Sequence, residues 1–338
     1  MKKLNFIIKY GLALLLLSFY SCESWLNVTP SDRLSEEMLF NDREGFVKAL
    51  NGVYIELNTN ELYGRNLTAG ALDVMGQYYS VASSSHAFYN YGGLVYTGND
   101  EKALFDNMWQ KCYAVIACCN TIIEKCDENK AGLSPVWRGS IKGEALALRA
   151  MLHFDMLRLF GPLTSELDKE SIPYQTNSDQ TVTPLLSGSE VVGLILDDLK
   201  NAVGLLKDTD PYFVEEEFSD TDLNYRRFRM NYFAAKGLMA RVQLWGGDKE
   251  KAAATAKEVI AEGQAEGAEF FPFVTNSEAT SSNPDRVFYS EVLFGTYHSS
   301  REKLHEDLFA PTLESTSILT LAGTARRDDL YDNENDYR

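Results

Sequence analysis

The sequence is poor in cysteine and histidine, with five and four of these residues in 338. Beyond Cys22, the pattern places Cys112, Cys119 and Cys126 on one helix face at intervals of seven residues. Successive members would then lie roughly 10 Å apart, which is too far for a disulfide and too far to share a metal ion. We therefore predict that these cysteines are small core residues and that the chain holds neither a disulfide nor a metal.

The chain also lacks an excess of basic residues. Its 32 lysines and arginines face 49 acidic residues, which gives a formal net charge of −17. Because phosphate binding needs clustered positive charge, this balance argues against nucleic acid as a partner. The acidic residues form no block, and a solvated surface accounts for them.

Common catalytic motifs are missing as well. The sequence has no His-Glu-x-x-His, no P-loop, no Gly-x-Ser-x-Gly and no Cys-x-x-Cys. Glycoside hydrolysis would need two carboxylates facing each other, and nothing in the sequence selects a pair from its many acidic residues. We predict a protein that is not an enzyme and uses no cofactor.

No apolar run is long enough for a membrane span. The longest, Tyr10–Tyr20, falls short of the ~20 residues that a spanning helix needs. It follows three lysines and ends at a serine before Cys22, a pattern that resembles a bacterial lipoprotein signal. We predict that residues 1–21 are a signal peptide and that a lipidated Cys22 anchors the chain to a membrane. The alternative is ordinary secretion with Cys22 lost or unused.

What the sequence does contain is apolar and aromatic residues, 45% and 12% of the chain, enough for a sizeable core. Its most distinctive stretch is a helix that Ser134 caps and Pro135 opens. We expect Gly161, in a left-handed conformation, and Pro162 to end it. Apolar residues cover most sides of this helix, so it should lie between neighbours as the spine of a mainly helical fold.

Further helices are predicted on both sides of the spine. One should start at Asn41, with Glu44 completing a capping box, and another should run from about Glu101 to Cys126. Later helices should begin at Ser187, Asn231 and Asp248, and the pair in residues 231–263 resembles a tetratricopeptide repeat. We expect an exposed excursion over residues 207–227, then a short strand over 286–294 and a short helix over 299–309.

Residues 58–100 interrupt the helical pattern and are rich in glycine and tyrosine. A long aromatic segment of this kind inside a compact domain is usually functional. Its rings and polar groups match what a sugar presents, namely apolar C–H faces and hydroxyls. The candidate ligand-binding residues are Asp73, Gln77, Tyr78, Tyr79, Phe88, Tyr89, Asn90 and Tyr91. We expect two or three of the five rings to contact ligand; alternatively, about half of them only hold the segment against the helices.

Charged residues on the spine helix have a different interpretation. Glu144, Arg149, Asp155 and Arg158 are predicted to be buried or half-buried ion-pair partners rather than catalytic groups. His153 beside them is predicted to be a core histidine whose hydrogen bonds are satisfied.

Several segments, taken in order, resemble the SusD/RagB family of outer-membrane lipoproteins from Bacteroidota. The order and spacing of these segments over residues 21–265 support the resemblance more strongly than any single segment does. The matching segments are Ser21-Cys22, Trp25–Pro30, Ala49–Tyr54, Trp109 with Cys119-Asn120, Gly143–Ala150, Leu159–Pro162, Asp197–Leu199, Ala240–Leu244 and Gly247-Asp248.

The resemblance implies a non-catalytic, cell-surface protein that binds glycans and delivers them to a SusC-like TonB-dependent transporter for nutrient uptake. It also implies a fold of tetratricopeptide-like helix pairs with long irregular loops and a few short strands. We predict a single domain over residues 22–338 with its helical core at about 41–265. Tyr297, after that core, is a second candidate for the site.

Family members usually extend beyond this length, so we expect an N-terminal fragment with a domain incomplete at its C-terminal end. The alternative function is a tetratricopeptide-like scaffold at the outer membrane that binds peptide or protein and has no affinity for sugars.

Overall fold

The computed structural model describes residues 36–179, 181–265, 268–321 and 328. The signal peptide and the lipidation site predicted at Cys22 lie outside these residues. The described chain is mainly helical, as predicted. Its α-helices are α1 Glu36–Leu39, α2 Arg43–Leu57, α3 Ala71–Met75, α4 Tyr89–Gly92, α5 Asn99–Glu128, α6 Pro135–Phe160, α7 Gly188–Thr209, α8 Asp220–Asn224, α9 Tyr232–Trp245, α10 Lys249–Gly263, α11 Asn276–Ala279 and α12 Arg301–Leu308.

Within the described residues, three small antiparallel sheets of two strands each connect segments that are either neighbours or far apart in sequence. Strand β1 pairs with β6, β2 with β3, and β4 with β5. The strands are β1 Tyr79–Ser80, β2 Glu170–Pro173, β3 Leu185–Ser187, β4 Gln264–Ala265, β5 Ala268–Glu269 and β6 Thr320–Leu321.

Helix α6 is the spine that the sequence predicts, packed between α5 and α7. The Ser134 side chain accepts a hydrogen bond from the Trp137 backbone N–H, and Pro135 occupies the first turn. Gly143 brings α7 unusually close, since a Cβ there would lie 2.7 Å from Leu206 Cγ. The predicted left-handed C-cap is wrong, because Gly161 is extended with φ −85° and ψ 178°.

Local caps explain where most other helices begin. Ser187 and Glu190 form the expected capping box at α7, and Asn231 and Asp248 cap α9 and α10 as predicted. At α2 the prediction was one residue too early. There the Asp42 carboxylate accepts the Gly45 backbone N–H at 2.9 Å, and Asn41 precedes the cap.

Two later predictions need correction. Residues 286–294 form no strand; Phe288 has φ +52° and a short 3₁₀ turn, Tyr289–Glu291, follows it. The excursion over residues 207–227 is largely exposed, but Asp210 and Arg226 within it are buried. The short helix predicted over 299–309 is confirmed as α12.

Apolar side chains form two cores. The main core lies between α2, α5, α6, α7 and α9, and it contains Cys112, Cys119 and Cys126, as predicted. A second, much smaller core connects the segment after α2 to α12 and the residues that follow it. Its buried members are Ala71, Val74, Phe88, Tyr91, Leu308 and Leu319. The predicted site segment therefore packs on its own core at one side of the helical scaffold.

Candidate functional site

The segment after α2 folds back on itself through short helices rather than an open loop. Gln77 adopts a positive φ of 62° just after α3, and its side-chain Nε2 donates to the Gly92 carbonyl at 3.0 Å. This hydrogen bond joins the ends of α3 and α4. Strand β1 then pairs with β6, with Tyr79 opposite Leu321. The local fold thus holds residues 77–80 beside residues 89–95.

A surface depression of about 420 Å³ lies between these two stretches. It brings together four of the residues predicted from sequence, Gln77, Tyr79, Tyr89 and Asn90. Tyr89 is 43% exposed, so part of its ring is open to a ligand. The rest of the lining was not predicted and comprises Ser80, Val81, Gly92, Gly93 and Val95.

Asn90 is held in place by an acidic residue at the start of α5. Its Nδ2 donates to Glu101 Oε1 at 2.8 Å. This hydrogen bond is also the main reason that the pKa of Glu101 lies below its usual value. Tyr79 is half-buried and its ring contacts Phe309, with centroids 5.2 Å apart. Both side chains are therefore fixed before any ligand arrives, which lowers the entropic cost of binding.

The structure does not support a surface role for Phe88 and Tyr91. They are only 5% and 3% exposed, and both belong to the second core. The Tyr91 ring meets those of Phe88 and Phe105 edge to face, at 5.9 Å in each case. Burial, reinforced by Glu101 and Asp100, raises the pKa of Tyr91 to about 12. These rings anchor the segment, which is the role that the alternative interpretation gave to about half of its aromatics.

Two further predicted residues lie outside the lining of the depression. Asp73 is half-buried on α3, and burial raises its pKa. Tyr78 is 45% exposed next to Gln77. Contact of either residue with a ligand remains a prediction.

Tyr297 does not join this depression. It is 66% exposed, and its ring lies 5.7 Å from that of Phe228 in an edge-to-face arrangement. Its neighbour His298 accepts the Ser300 backbone N–H at 3.1 Å through Nδ1, so its Nε2–H donates to the Gly64 carbonyl at 3.0 Å. The structure thus places Tyr297 in different surroundings from the depression, and its contact with a ligand remains a prediction.

Charged groups on the spine helix are structural, as predicted. Buried Glu144 accepts hydrogen bonds from Tyr54, Arg226 and Arg229. Burial opposes the charged carboxylate, yet the two arginines outweigh it and keep the pKa of Glu144 below its usual value. Arg149 pairs with Asp198 through two hydrogen bonds of 2.7 Å.

Asp155 and His153 also have their expected partners. Asp155 accepts from Tyr63 at 2.6 Å and from Arg158 at 2.9 Å. His153 is fully buried, with Nδ1 2.9 Å from the Arg149 carbonyl and Nε2 accepting the Gln175 backbone N–H at 3.0 Å. Burial lowers the pKa of His153 to about 3. A neutral ring in a closed hydrogen-bond pattern is a core group rather than a catalytic base.

Across residues 36–179, 181–265, 268–321 and 328, no group of three or more histidine, cysteine, aspartate or glutamate side chains is arranged to hold a metal ion. The helices in the same ranges include none that is both long and apolar enough to cross a membrane.

The fold and the depression together define a helical-hairpin protein with an open surface site. Comparison with known proteins then identifies its family. A sequence model of SusD-like proteins, described as "Starch-binding associating with outer membrane", matches residues 24–244. The chain therefore belongs to the SusD-like family.

Individual relatives agree with this assignment. SusD-like protein P2 of Formosa agariphila is 25% identical over 265 residues, covering 76% of this chain and 46% of the relative. A SusD superfamily protein of Bacteroides thetaiotaomicron superimposes with a TM-score of 0.63 at 19% identity, over 88% of this chain and 64% of that structure. A SusD-like carbohydrate binding protein of Bacteroides vulgatus gives 0.56 at 24% identity, over 71% and 47%. The chain thus spans about half the length of the curated relative, and these structural likenesses establish the fold.

Proposed function

We propose that this protein binds a glycan at the depression between residues 77–81 and 89–95 without cleaving it. The observation that carries the proposal is the pairing of two tyrosine rings, Tyr79 and Tyr89, with two amide side chains, Gln77 and Asn90. Rings can stack on the apolar faces of sugars, and amides can exchange hydrogen bonds with hydroxyls. An open depression also suits a polymer, which can extend beyond it at both ends.

The family supports the choice of ligand. Its sequence model is described as starch-binding, and the Bacteroides vulgatus structure is described as a carbohydrate binding protein. The family model is also described as associating with the outer membrane. On that basis we place the protein at the cell surface, anchored through lipid on Cys22, where it passes glycan to a SusC-like TonB-dependent transporter.

Calorimetric titration with a panel of glycans, soluble starch among them, tests the binding step. We expect affinity for at least one member and no release of reducing ends during incubation. The absence of binding to every glycan would reject the proposal. Release of reducing ends would instead indicate an enzyme.

The anchor and the transporter need separate tests. Metabolic labelling with palmitate should mark the wild type, and Cys22→Ser should lose both the label and sedimentation with membranes. Crosslinking in cells should capture a TonB-dependent transporter. A crosslinked membrane partner in a protein without sugar affinity would favour the peptide- or protein-binding scaffold.

A further inference from the structure

The two amide side chains of the depression use their nitrogen atoms within the protein. Gln77 Nε2 donates to the Gly92 carbonyl at 3.0 Å and to the Val74 carbonyl at 3.4 Å. Asn90 Nδ2 donates to Glu101 Oε1 at 2.8 Å. Because carbonyl and ionised carboxylate oxygens can only accept, the nitrogen of each amide must face these partners. The protein therefore fixes the orientation of both amides.

The oxygen atoms of these amides remain for a ligand. Gln77 and Asn90 are exposed, and neither side-chain oxygen accepts a hydrogen bond from any residue that the structure describes. Each of these oxygens offers two lone pairs. The backbone N–H groups of Gly92, Gly93 and Val95 already donate to carbonyl oxygens of the same segment. The groups that the depression holds in a fixed orientation are thus mostly acceptors.

Positive charge is scarce around the depression. Its described lining contains no lysine or arginine, and the sequence has neither between Arg65 and Lys102. Lys102 and Arg301 are exposed and lie outside the lining. Lys303 lines a different depression together with Arg65, and it pairs with Asp307 at 3.1 Å. An anionic group on a ligand would therefore find no cation on the described lining.

Negative charge contacts the lining through Glu101, which is only 6% exposed and holds Asn90. Glycine at position 98 leaves room for this carboxylate, since a Cβ on Gly98 would overlap Glu101 Oε2. The hydroxyls of Ser80 and Tyr89 can rotate to donate or to accept, so they set no preference. The fixed amides and the acid behind Asn90 decide which partner groups fit.

We propose that the depression binds sugar hydroxyls as donors to Gln77 Oε1 and Asn90 Oδ1, and that Glu101 is the positioning residue that presents the Asn90 oxygen. Sugars with carboxylates in place of those hydroxyls bind more weakly, because a carboxylate accepts hydrogen bonds and donates none. The inference rests on the proposed function for the class of ligand. The preference for neutral over acidic sugars comes from the orientation of the two amides.

Calorimetry tests the preference with matched chains. Each neutral oligosaccharide that binds, maltoheptaose first, is compared with the same chain after its primary hydroxyls have been oxidised to carboxylates. We expect the oxidised chain to bind about 10-fold more weakly or worse, since amide oxygens then face acceptors. Physiological ionic strength screens distant acidic residues, so the difference reports on the lining itself.

Two variants test the positioning role. Glu101→Gln allows the Asn90 amide to turn over, because an amide at 101 can donate as well as accept. Neutral affinity should fall about 2- to 10-fold, and discrimination against the oxidised chain should shrink by a similar factor. Gly98→Ala should act in the same direction without removing a charge, because its Cβ displaces the Glu101 carboxylate. Asp100→Asn is the matched control, since it removes an exposed neighbouring carboxylate and should change neither quantity.

Thermal unfolding checks that each variant is folded. If Glu101→Gln or Gly98→Ala is not, Asn90→Ala replaces it, since that side chain is exposed and its loss should lower neutral affinity by the same factor.

The outcomes separate the two proposals. Equal or tighter binding of an oxidised chain, or binding of acidic glycans alone, would overturn the preference and leave the proposed function intact. Unchanged discrimination in the folded variants would overturn the role of Glu101. If the wild type binds no glycan of either kind, both proposals fail.

Discussion

The main core and the second core differ in how they treat polar groups. In the main core, Glu144, Arg149 and Asp198 are buried, and each is paired with an opposite charge. The second core is built from six buried apolar and aromatic side chains, and the buried acid beside it, Glu101, accepts a hydrogen bond from the Asn90 amide. Partly exposed Tyr89 follows the buried Phe88 in the chain. The main core defines the helical scaffold, and the second core supports the segment that contains the candidate site.

We therefore expect stability and the proposed binding to depend on separate parts of the chain. A buried ion network penalises any packing that separates its members, so the main core tolerates little rearrangement. A small apolar core contributes less to the free energy of unfolding, so it can open locally while the rest of the chain stays folded.

The largest effect should come from Arg226→Ala in the main core. It leaves Asp210 buried without its cation and removes one partner of Glu144, which should cost about 3–5 kcal/mol of unfolding free energy. Urea denaturation measures this loss, with Lys200→Ala as the control, since that exposed pair with Asp197 should contribute little. A loss below about 1 kcal/mol for Arg226→Ala would mean that the network is not a stabilising feature of the scaffold.

Leu308→Ala should affect the second core alone. Leu308 is 7% exposed, and truncating a buried leucine costs about 2–5 kcal/mol. Hydrogen exchange should show faster opening of residues 71–96 and unchanged protection in α6. Lys303→Ala on the same helix is the control. Equal acceleration in α6 would show that the two cores unfold as one unit.

Acid should weaken the main core through His153. Its folded pKa of about 3 lies below the ordinary value of 6.5, so the unfolded chain binds the proton more readily. The stabilisation is complete above pH 6.5 and is lost as the pH falls toward 3, by up to about 1.4 kcal/mol per pH unit. NMR of the imidazole should show a neutral ring in the folded protein through this window. Titration near pH 6.5 in the folded state would contradict the buried arrangement.

The smallest effect should be that of Tyr89→Ala on glycan affinity, a loss of about 0.5–1.5 kcal/mol for one aromatic contact. Calorimetry with a bound glycan measures it, and Tyr89→Phe should retain affinity because the ring remains. Stability should not change, since the ring is 43% exposed. Wild-type affinity in the alanine variant would show that Tyr89 does not contact the glycan. The family assignment would not be affected.

Local chemistry explains which parts of the fold could be predicted from sequence. Ser134 and Pro135, or Ser187 and Glu190, determine helix starts within a few residues, and an apolar stripe identifies the buried face. The errors about burial arose where the deciding partner lies far away. Arg226 is buried because Glu144, 82 residues distant, pairs with it. Phe88 and Tyr91 are buried in a core that also needs the distant Leu308 and Leu319, and nothing near residue 90 indicates those members.

The candidate site was predictable in composition and less so in arrangement. The sequence selected a segment that contains four residues of the depression, because rings and amides are the groups that sugars need. It could not separate Tyr89 from Tyr91, two residues apart, since the turn of α4 exposes one and buries the other. It also could not place Tyr297, whose surroundings depend on the distant Phe228.

The pairing of Tyr79 with Leu321 has a consequence for the order of folding. It closes a chain segment of more than two hundred residues, and the entropy of closure must be offset by contacts made earlier. During synthesis, the helices of the main core emerge before residue 321 does, and they can bring the two strands together at little further cost. The wall of the depression that contains Tyr79 is therefore completed late, on a scaffold that has already formed.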